Sequence, residues 1–494
     1  MPLVLTVMLA ILGNAYADTV DDVTADSLNN NDMRSNNLDS QPNINYNEMI
    51  IFPGAFIQNP YLSVQSGGGF NYNYVASESH DFIERLFNDG TYNIYSGAQA
   101  SRGTSISANG VKNDSYAYGA TAFAQTGRVA GFSIGGAATV MNPLFANNLN
   151  GVNTNSGLLT PTNQQIALTQ MFGEYQYENI VSVDVGYIAI NDNPWLSGSY
   201  FNTNISVPMT YQGLLSNVYA GNGWLVTALA FNAMQSSGQN KFTGETLLNT
   251  QYGSNYLSSN TNSNGTVALG ADYYAWDNNY NLRLWAYQFD KYGTLLYGDT
   301  SVNVPLSKSI ALNFAGQMGV DNNFGASTAY ENNPFVSSSN INSKFVGLQA
   351  SLTIDWVDFV LAGNSIWGNS NSVGGGAIIS PYTSNLGSDP LYAEGWITNM
   401  VNQGLTGNSY KASVDLNLLG GDLQISPGYM TLSNTNMSFM NGTQEAFITA
   451  TYNIPQVKGL TLFASFANQW VPGSASTYGM SNNWSSELIT SYLW

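Results

Sequence analysis

Few residues in this chain have side chains that could carry out chemistry, and most of those are carboxylates. The 494 residues include no cysteine and a single histidine, His80, within the sequence Ser-Glu-Ser-His-Asp at residues 77–81. The lack of cysteine excludes thiolate metal ligands, disulfides and cysteine nucleophiles, and a single histidine excludes a multi-histidine metal centre. Because catalytic serine, histidine and aspartate normally meet in space rather than in sequence, we interpret the cluster at His80 as a polar turn. The sequence therefore predicts no catalytic residue, no metal site and no cofactor.

The charge balance excludes further classes of function. The chain has 12 Lys and Arg against 31 Asp and Glu, and the resulting net charge of -19 has the wrong sign for a nucleic-acid-binding protein. Only 9% of residues are charged, against about 25% in an average globular protein, yet Asn, Ser, Thr, Gln and Gly keep the chain polar. Past the first 20 positions there is no run of about 18 apolar residues, which excludes membrane-spanning helices.

The N-terminal residues have the composition of an export signal followed by a polar arm. Residues 3–13 are mostly apolar, and Asn-Ala-Tyr-Ala at residues 14–17 supplies a small-x-small cleavage site, which predicts a signal peptide over residues 1–17. Residues 18–90 begin with a stretch rich in Asn, Asp and Ser. We interpret them as an N-terminal arm that lies in the periplasm or inserts into the domain that follows.

From about residue 91 the chain consists of long segments in which apolar and polar residues alternate. The clearest segment is 410–418, and residues 345–354 and 181–189 repeat its pattern. A tilted strand needs about 9 to 11 residues to cross a bilayer, whereas strands of globular proteins have about 5 to 6. The sequence therefore predicts an all-β fold, a transmembrane antiparallel β-barrel of about 18 strands over residues 91–494. The predicted strands are 91–102, 115–126, 129–141, 165–177, 180–190, 211–220, 224–235, 265–277, 280–290, 293–305, 309–320, 344–355, 357–367, 407–418, 422–432, 443–454, 459–469 and 482–494.

Connections between these segments alternate in length, except that the loop after residue 290 is short. In outer-membrane barrels short turns face the periplasm and long loops face outward. The long loops are predicted at residues 142–164, 191–210, 236–264, 321–343 and 368–406.

Aromatic residues support the membrane interpretation. In the last segment, apolar and small residues share one face and the chain stops at Trp494. This pattern resembles the C-terminal signal of outer-membrane barrels, so we expect the barrel-assembly machinery to recognise Trp494. Aromatic residues near strand ends would form girdles at the two lipid interfaces. They are Tyr177, Trp224, Trp276, Trp285, Trp356 and Trp367.

An 18-strand barrel leaves an aqueous lumen that side chains alone cannot fill. Charged residues on the polar faces are therefore predicted to line it, and acidic residues outnumber the basic candidates Arg102, Lys291 and Lys411. Because a narrow opening focuses the charge around it, we expect a lumen that prefers cations weakly or admits neutral solutes. The predicted pore-lining residues are Glu174, Asp184, Asp272, Asp299, Lys411, Asp415 and Glu445.

Three stretches of the sequence resemble the OprD family of outer-membrane porins. Asn193-Pro194 with the Pro-x-Thr-x-x-Gly pattern of residues 208–213 resembles the family's third-loop motif. Residues 284–306 resemble its mid-barrel strands, as do residues 388–392 followed by 410–418. The resemblance implies an 18-strand, largely monomeric barrel that takes up small solutes, with the third and seventh external loops folded inward. The family typically has a ladder of Arg and Lys that guides carboxylate substrates, and the five Arg and seven Lys of this chain cannot form a long one. Ile205 stands where the third loop usually has Arg. Candidates for a constriction in these two loops are Asp192, Trp195, Tyr200, Asp389 and Tyr392.

Together these observations predict a porin in the outer membrane of a Gram-negative bacterium. Its partners would be outer-membrane lipid and small solutes such as cations, amino acids or neutral nutrients, and it would be a monomer or a homotrimer. Two alternatives are an uptake porin for siderophores or other larger ligands, and a secreted β-rich surface adhesin.

Overall fold

A computed structural model describes residues 87, 90–104, 112–144, 164–178, 180–190, 193–196, 208–236, 239–250, 257, 259, 261–275, 279–323, 329–330, 340–383, 390–472 and 482–493. The predicted signal peptide, residues 18–86 of the predicted arm, His80 and Trp494 lie outside these residues.

Antiparallel strands make up most of the described structure. One four-residue helix, α1 (Leu247–Thr250), and two 3-10 turns at Val373–Gly375 and Leu419–Gly421 accompany them. Among the described residues, no helix is long and apolar enough to cross a membrane. The strands are β1 Thr91–Thr104, β2 Lys112–Gln125, β3 Phe132–Pro143, β4 Gln165–Tyr177, β5 Val181–Ile188, β6 Thr210–Gly221, β7 Trp224–Gln235, β8 Thr266–Ala275, β9 Tyr280–Phe289, β10 Gly293–Pro305, β11 Ile310–Asn322, β12 Asn342–Ile354, β13 Val357–Gly368, β14 Gly407–Leu418, β15 Leu423–Ser433, β16 Gln444–Asn453, β17 Leu460–Trp470 and β18 Asn483–Leu493.

The sheet closes on itself. Each strand pairs with its neighbours in sequence, and β1 also pairs with β18, with Ala98 opposite Thr490. Closure leaves no strand edge with unpaired N–H and C=O groups, which is the condition for a sheet to cross hydrocarbon. The predicted all-β antiparallel barrel of about 18 strands is confirmed.

The two faces of each strand meet different surroundings because successive side chains point to opposite sides of a sheet. On β4, Ile166 and Met171 of the outward face are 65% and 60% exposed, whereas Thr169 and Glu174 of the inward face are 0% and 5% exposed. The exposed large side chains of the outward face are mostly apolar. An apolar outward face suits the hydrocarbon core of a bilayer.

The two ends of the barrel differ in their connections. The short-turn end carries tight turns. Asn222 and Asp355 adopt positive φ values of 50° and 52°, as two-residue hairpin turns require, and Glu178 adopts a φ of 47° in the connection between β4 and β5. The opposite end, the long-loop end, also carries the short connection after β9, as predicted. Its four long loops that the structure describes in part are the third (189–209), fourth (236–265), sixth (323–341) and seventh (369–406).

The prediction that Trp285 belongs to an aromatic girdle is wrong. Trp285 is 3% exposed and points into the barrel, where its Nε1 donates a hydrogen bond to Asp272 Oδ1 at 3.1 Å. The other predicted girdle residues are exposed or half-buried at strand ends: Tyr177, Trp224, Trp356 and Trp367, with Trp276 outside the described residues.

Candidate functional site: the barrel lumen

Acidic side chains face inward in the part of the wall near the short-turn end. Glu174 of β4 and Asp184 of β5 are direct cross-strand partners and are 5% and 1% exposed. Asp358 of β13 and Asp415 of β14 form a second pair of cross-strand partners elsewhere on the wall. Asp358 is a residue that the sequence analysis did not single out.

Arg283 of β9 lies between two of the predicted carboxylates. Its cross-strand partners are Asp272 of β8 and Asp299 of β10. The Arg283 Nε lies 3.0 Å from each carboxylate oxygen of Asp299, and Nη2 lies 2.6 Å from Oδ2, which also accepts a hydrogen bond from the Tyr297 hydroxyl at 2.5 Å. Fork-shaped pairing with additional hydrogen bonds offsets the cost of burying both charges. Asp299 is therefore neutralised within the wall.

Glu174 has a cation of its own. Arg128, in the turn between β2 and β3, forms an ion pair with Glu174, and its Nε lies 3.1 Å from Oε1. Gln125 and Ser133 also donate hydrogen bonds to the same carboxylate. Glu174 thus connects β2, β3 and β4 at the short-turn end and also faces the lumen.

Carboxylates outnumber cations on the inward face. Over the described strands, the inward basic side chains are Arg283 and Lys411, which is 7% exposed. Every residue predicted to line the pore faces inward, and Asp321, Asp358 and Glu487 do so as well. The inward carboxylates are Glu174, Asp184, Asp272, Asp299, Asp321, Asp358, Asp415, Glu445 and Glu487.

Near the long-loop end the inward face is aromatic. Trp285, Tyr287 and Phe289 follow one another along β9, with ring centroids 5.6 and 5.5 Å apart. Gly270, opposite Trp285, makes room for this row, since a Cβ there would lie 2.3 Å from the Trp285 ring. Other inward rings at this end of the barrel are Tyr211, Phe231, Tyr297 and Phe345.

The third loop packs on this aromatic surface. Trp195 is fully buried, with its ring centroid 5.8 Å from that of Tyr297 and 5.4 Å from that of Phe345. The Tyr287 hydroxyl donates a hydrogen bond to Asn193 Oδ1 at 2.8 Å. The described part of the third loop therefore lies inside the barrel.

The first half of the seventh loop meets the third and fourth loops inside the barrel. The Tyr382 ring lies 4.9 Å from that of Phe231, and burial raises the pKa of the Tyr382 phenol above its ordinary value. Thr383 Oγ1 donates a hydrogen bond to the Trp195 carbonyl at 2.8 Å, and the Leu247 N–H donates to the Pro381 carbonyl at 2.9 Å. The described loop segments form one packed body.

The second half of the seventh loop lies against the wall. Tyr392 is 2% exposed, its N–H donates to Asn364 Oδ1 at 3.1 Å, and burial raises the pKa of its phenol. Glu445 accepts hydrogen bonds from the backbone N–H groups of Trp396, Ile397 and Thr398. Trp195 and Tyr392 are thus placed within the lumen by their loops.

Five other predicted residues either lie outside the described part of the chain or do not face the lumen. Asp192, Tyr200 and Asp389 lie outside the described residues. Arg102 is exposed on the outward face at the long-loop end of β1, and Lys291 Nζ donates to the Asn262 carbonyl at 2.6 Å in the turn after β9. The sequence did not single out Arg283 as a lumen residue, although Arg283 lies an even number of residues from Trp285 on the same strand and so shares its face.

Among the described residues, no group of three or more His, Cys, Asp or Glu side chains could hold a metal ion.

Comparisons with known proteins support the fold. No protein-family model matches the sequence, and no curated protein matches it either. The outer membrane protein OpdK from Pseudomonas aeruginosa shares 16% sequence identity with a TM-score of 0.63, covering 83% of this chain and 99% of that chain. OccK9 (OpdG) from the same organism shares 14% identity with a TM-score of 0.67, at the same coverage of both chains.

A BenF-like porin from Pseudomonas fluorescens Pf-5 shares 14% identity with a TM-score of 0.64, again over 83% of this chain and 99% of that one. The resemblance to the OprD family is therefore confirmed at the level of the fold, a closed 18-strand barrel that the chain shares with these bacterial proteins.

Proposed function

We propose that the protein is a porin in the outer membrane of a Gram-negative bacterium, through which small hydrophilic solutes pass by passive diffusion. One observation carries this proposal: the closed 18-strand barrel is apolar on its outward face, whereas its inward face carries polar side chains and an excess of carboxylates besides the rings that pack against the loops. Two different solvents, lipid outside and water inside, account for that difference. The long-loop end would face outward from the cell and the short-turn end would face the periplasm.

The inward charges favour cations and neutral solutes over anions. Glu174 and Asp299 are paired with Arg128 and Arg283. Over the described strands, the other inward carboxylates outnumber Lys411, the inward cation that is left. OpdK has been crystallised with vanillate. In this chain a carboxylate solute would meet an unfavourable potential, so amino acids, cations and neutral nutrients are the substrates that we propose.

Two inward-folded loops form the proposed constriction. Trp195 and Tyr392 are the described candidates that support it, and Asp192, Tyr200 and Asp389 belong to the same two loops. The packed loop body favours small solutes over siderophore-sized ligands. An apolar outward face would be exposed to water in a secreted adhesin, which is why we prefer the porin. We further propose that the protein is a channel rather than an enzyme and that the barrel-assembly machinery recognises Trp494. The protein would be a monomer or a homotrimer.

Solute entry into vesicles tests the proposed function. The full chain, reconstituted in liposomes after its folding is checked by heat-modifiable gel mobility, should admit glycine and lysine faster than aspartate. Boiled protein is the control. A folded, heat-modifiable barrel that admits none of these solutes would contradict the porin function, and faster entry of aspartate would contradict the proposed selectivity.

A further inference from the structure

Glu445 binds the backbone of the seventh loop. It lies at the long-loop end of β16 and is fully buried. Its Oε1 accepts hydrogen bonds from the N–H groups of Trp396 at 2.6 Å and Ile397 at 2.9 Å, and its Oε2 accepts one from Thr398 at 2.7 Å. Successive backbone N–H groups that converge on one anion form a strong, charge-assisted site.

Neighbouring residues make further contacts between residues 395–398 of the seventh loop and the barrel wall. A Cβ at Gly395 would lie 2.6 Å from Glu445 Oε2, so glycine permits the close approach of the loop. Gln469 of β17 donates a hydrogen bond to Thr398 Oγ1 at 2.7 Å. The Trp396 ring stacks on Phe463 of the same strand, with centroids 5.7 Å apart. The contacts are therefore specific to this stretch of the loop.

A second carboxylate holds another part of the loop. Asp321, fully buried at the long-loop end of β11, accepts a hydrogen bond from the Ile379 N–H at 2.7 Å through its Oδ2. The seventh loop begins at β13 and ends at β14, so β11 and β16 lie on opposite sides of its origin. The two carboxylates thus fasten two separate segments of one loop to two separate parts of the wall.

We propose that Asp321 and Glu445 are positioning residues, which set the aperture of the pore by holding the seventh loop across the lumen. This inference rests on the proposed porin function, and it replaces the earlier expectation that Glu445 acts by lining the pore. Backbone N–H groups already solvate the Glu445 charge, so little of it is directed at passing ions. Removing that charge should therefore loosen the loop more than it alters ion selectivity.

Thiol labelling tests the anchor independently of conduction. The chain has no cysteine, so Ile397→Cys introduces a unique thiol in the anchored segment without removing its N–H donor. In the folded barrel, adding Glu445→Gln should raise the rate of maleimide labelling at residue 397 by at least about tenfold, because strong hydrogen bonds to a charge are lost. An unchanged rate would overturn the proposal.

A matched control is available on the same face of the barrel. Glu487 of β18 is also inward and buried, but it accepts its hydrogen bond from Gln99 of β1 rather than from a loop. Glu487→Gln should leave labelling at residue 397 unchanged. If Glu445→Gln fails to fold, Gln469→Ala removes a single bond to Thr398 and should give a smaller acceleration; no acceleration would also overturn the proposal.

Conductance separates an anchor from a selectivity residue. In planar bilayers Glu445→Gln should give larger and noisier single-channel currents with little change in reversal potential. A lowered cation preference at unchanged conductance would mean that Glu445 acts on ions directly, and would overturn the inference. If the wild type forms no channel at all, the porin function fails, whereas the labelling result still decides whether Glu445 holds the loop.

Discussion

The two halves of the lumen wall are built from different residues, although the same strands supply both. β9 carries Arg283 toward the short-turn end and Tyr287 and Phe289 toward the long-loop end, all on one face. Near the long loops the inward rings pack against Trp195 and Tyr382. Near the short turns the inward face instead carries carboxylates, among them Asp184 and Asp415. One face of the barrel therefore stabilises the loops at one end and would line the proposed aqueous passage at the other.

The largest effect is expected from removing the ring at the centre of the loop packing. Trp195→Ala would leave a cavity against Tyr297 and Phe345, and such truncations cost about 3 to 5 kcal/mol. The loops should loosen, and single-channel conductance should rise. Trp356→Ala, at a residue 52% exposed at the short-turn end, is the control and should leave conductance as it is. Equal conductance of the wild type and Trp195→Ala would show that the long-loop half does not restrict the pore.

Breaking the central ion pair should destabilise the short-turn half. Arg283→Gln would leave Asp299 buried without its cation, which costs about 3 to 5 kcal/mol when one partner of a buried pair is removed. The measurement is the urea concentration at which the folded band disappears in gels. Adding Asp299→Asn should recover much of the loss, and a double variant no more stable than Arg283→Gln would refute the pairing.

The junction between the two halves depends on a close approach. Gly270→Val would place side-chain atoms against the Trp285 ring, whose atoms lie 2.3 Å from an added Cβ. Overpacking of this kind costs about 1 to 3 kcal/mol, measured by the same urea titration. Gly173→Ala, on β4 where an added Cβ would have nothing within 4 Å, is the control. Equal midpoints for both variants would argue against the tight contact.

The smallest expected effect is the change in ion permeability when single carboxylates of the short-turn half are neutralised. At about 10 Å in water a unit charge contributes about 0.4 kcal/mol to the energy of an ion, which is about twofold in permeability. Because the charge acts with opposite sign on potassium and chloride, Asp358→Asn and Asp415→Asn should each lower the ratio of potassium to chloride permeability by about fourfold. Glu174→Gln should lower it less, because Arg128 already neutralises that carboxylate. A larger change in Glu174→Gln than in Asp415→Asn would contradict this assignment.

The strands were predictable because the outward face has to be apolar along its whole length. The predicted bounds of β4, β7, β10 and β14 coincide with the observed ones, and the largest differences are a start at Lys112 rather than 115 for β2 and at Phe132 rather than 129 for β3. Alternation with a period of two, interrupted by short Asn-rich and Gly-rich turns, carries this information.

The lumen was less predictable for a physical reason. Alternation of apolar and polar residues predicts a strand with lipid on one side and water on the other. The inward face near the long-loop end contacts neither, because it packs against the loops. Trp285 therefore looked like a girdle residue, although it packs inside the barrel. Contacts such as Glu445 with Trp396 and Asp321 with Ile379 join distant parts of the chain, and a pattern within one segment cannot contain them.

The reversal potential of the wild-type full chain in a planar bilayer, across a tenfold gradient of potassium chloride, tests the central claim most directly. A barrel whose inward charges are mostly carboxylates should conduct ions and give a reversal potential of the sign set by potassium, smaller at high salt, where charges are screened. A folded barrel that conducts no current, or one whose potential has the sign set by chloride, would contradict the account.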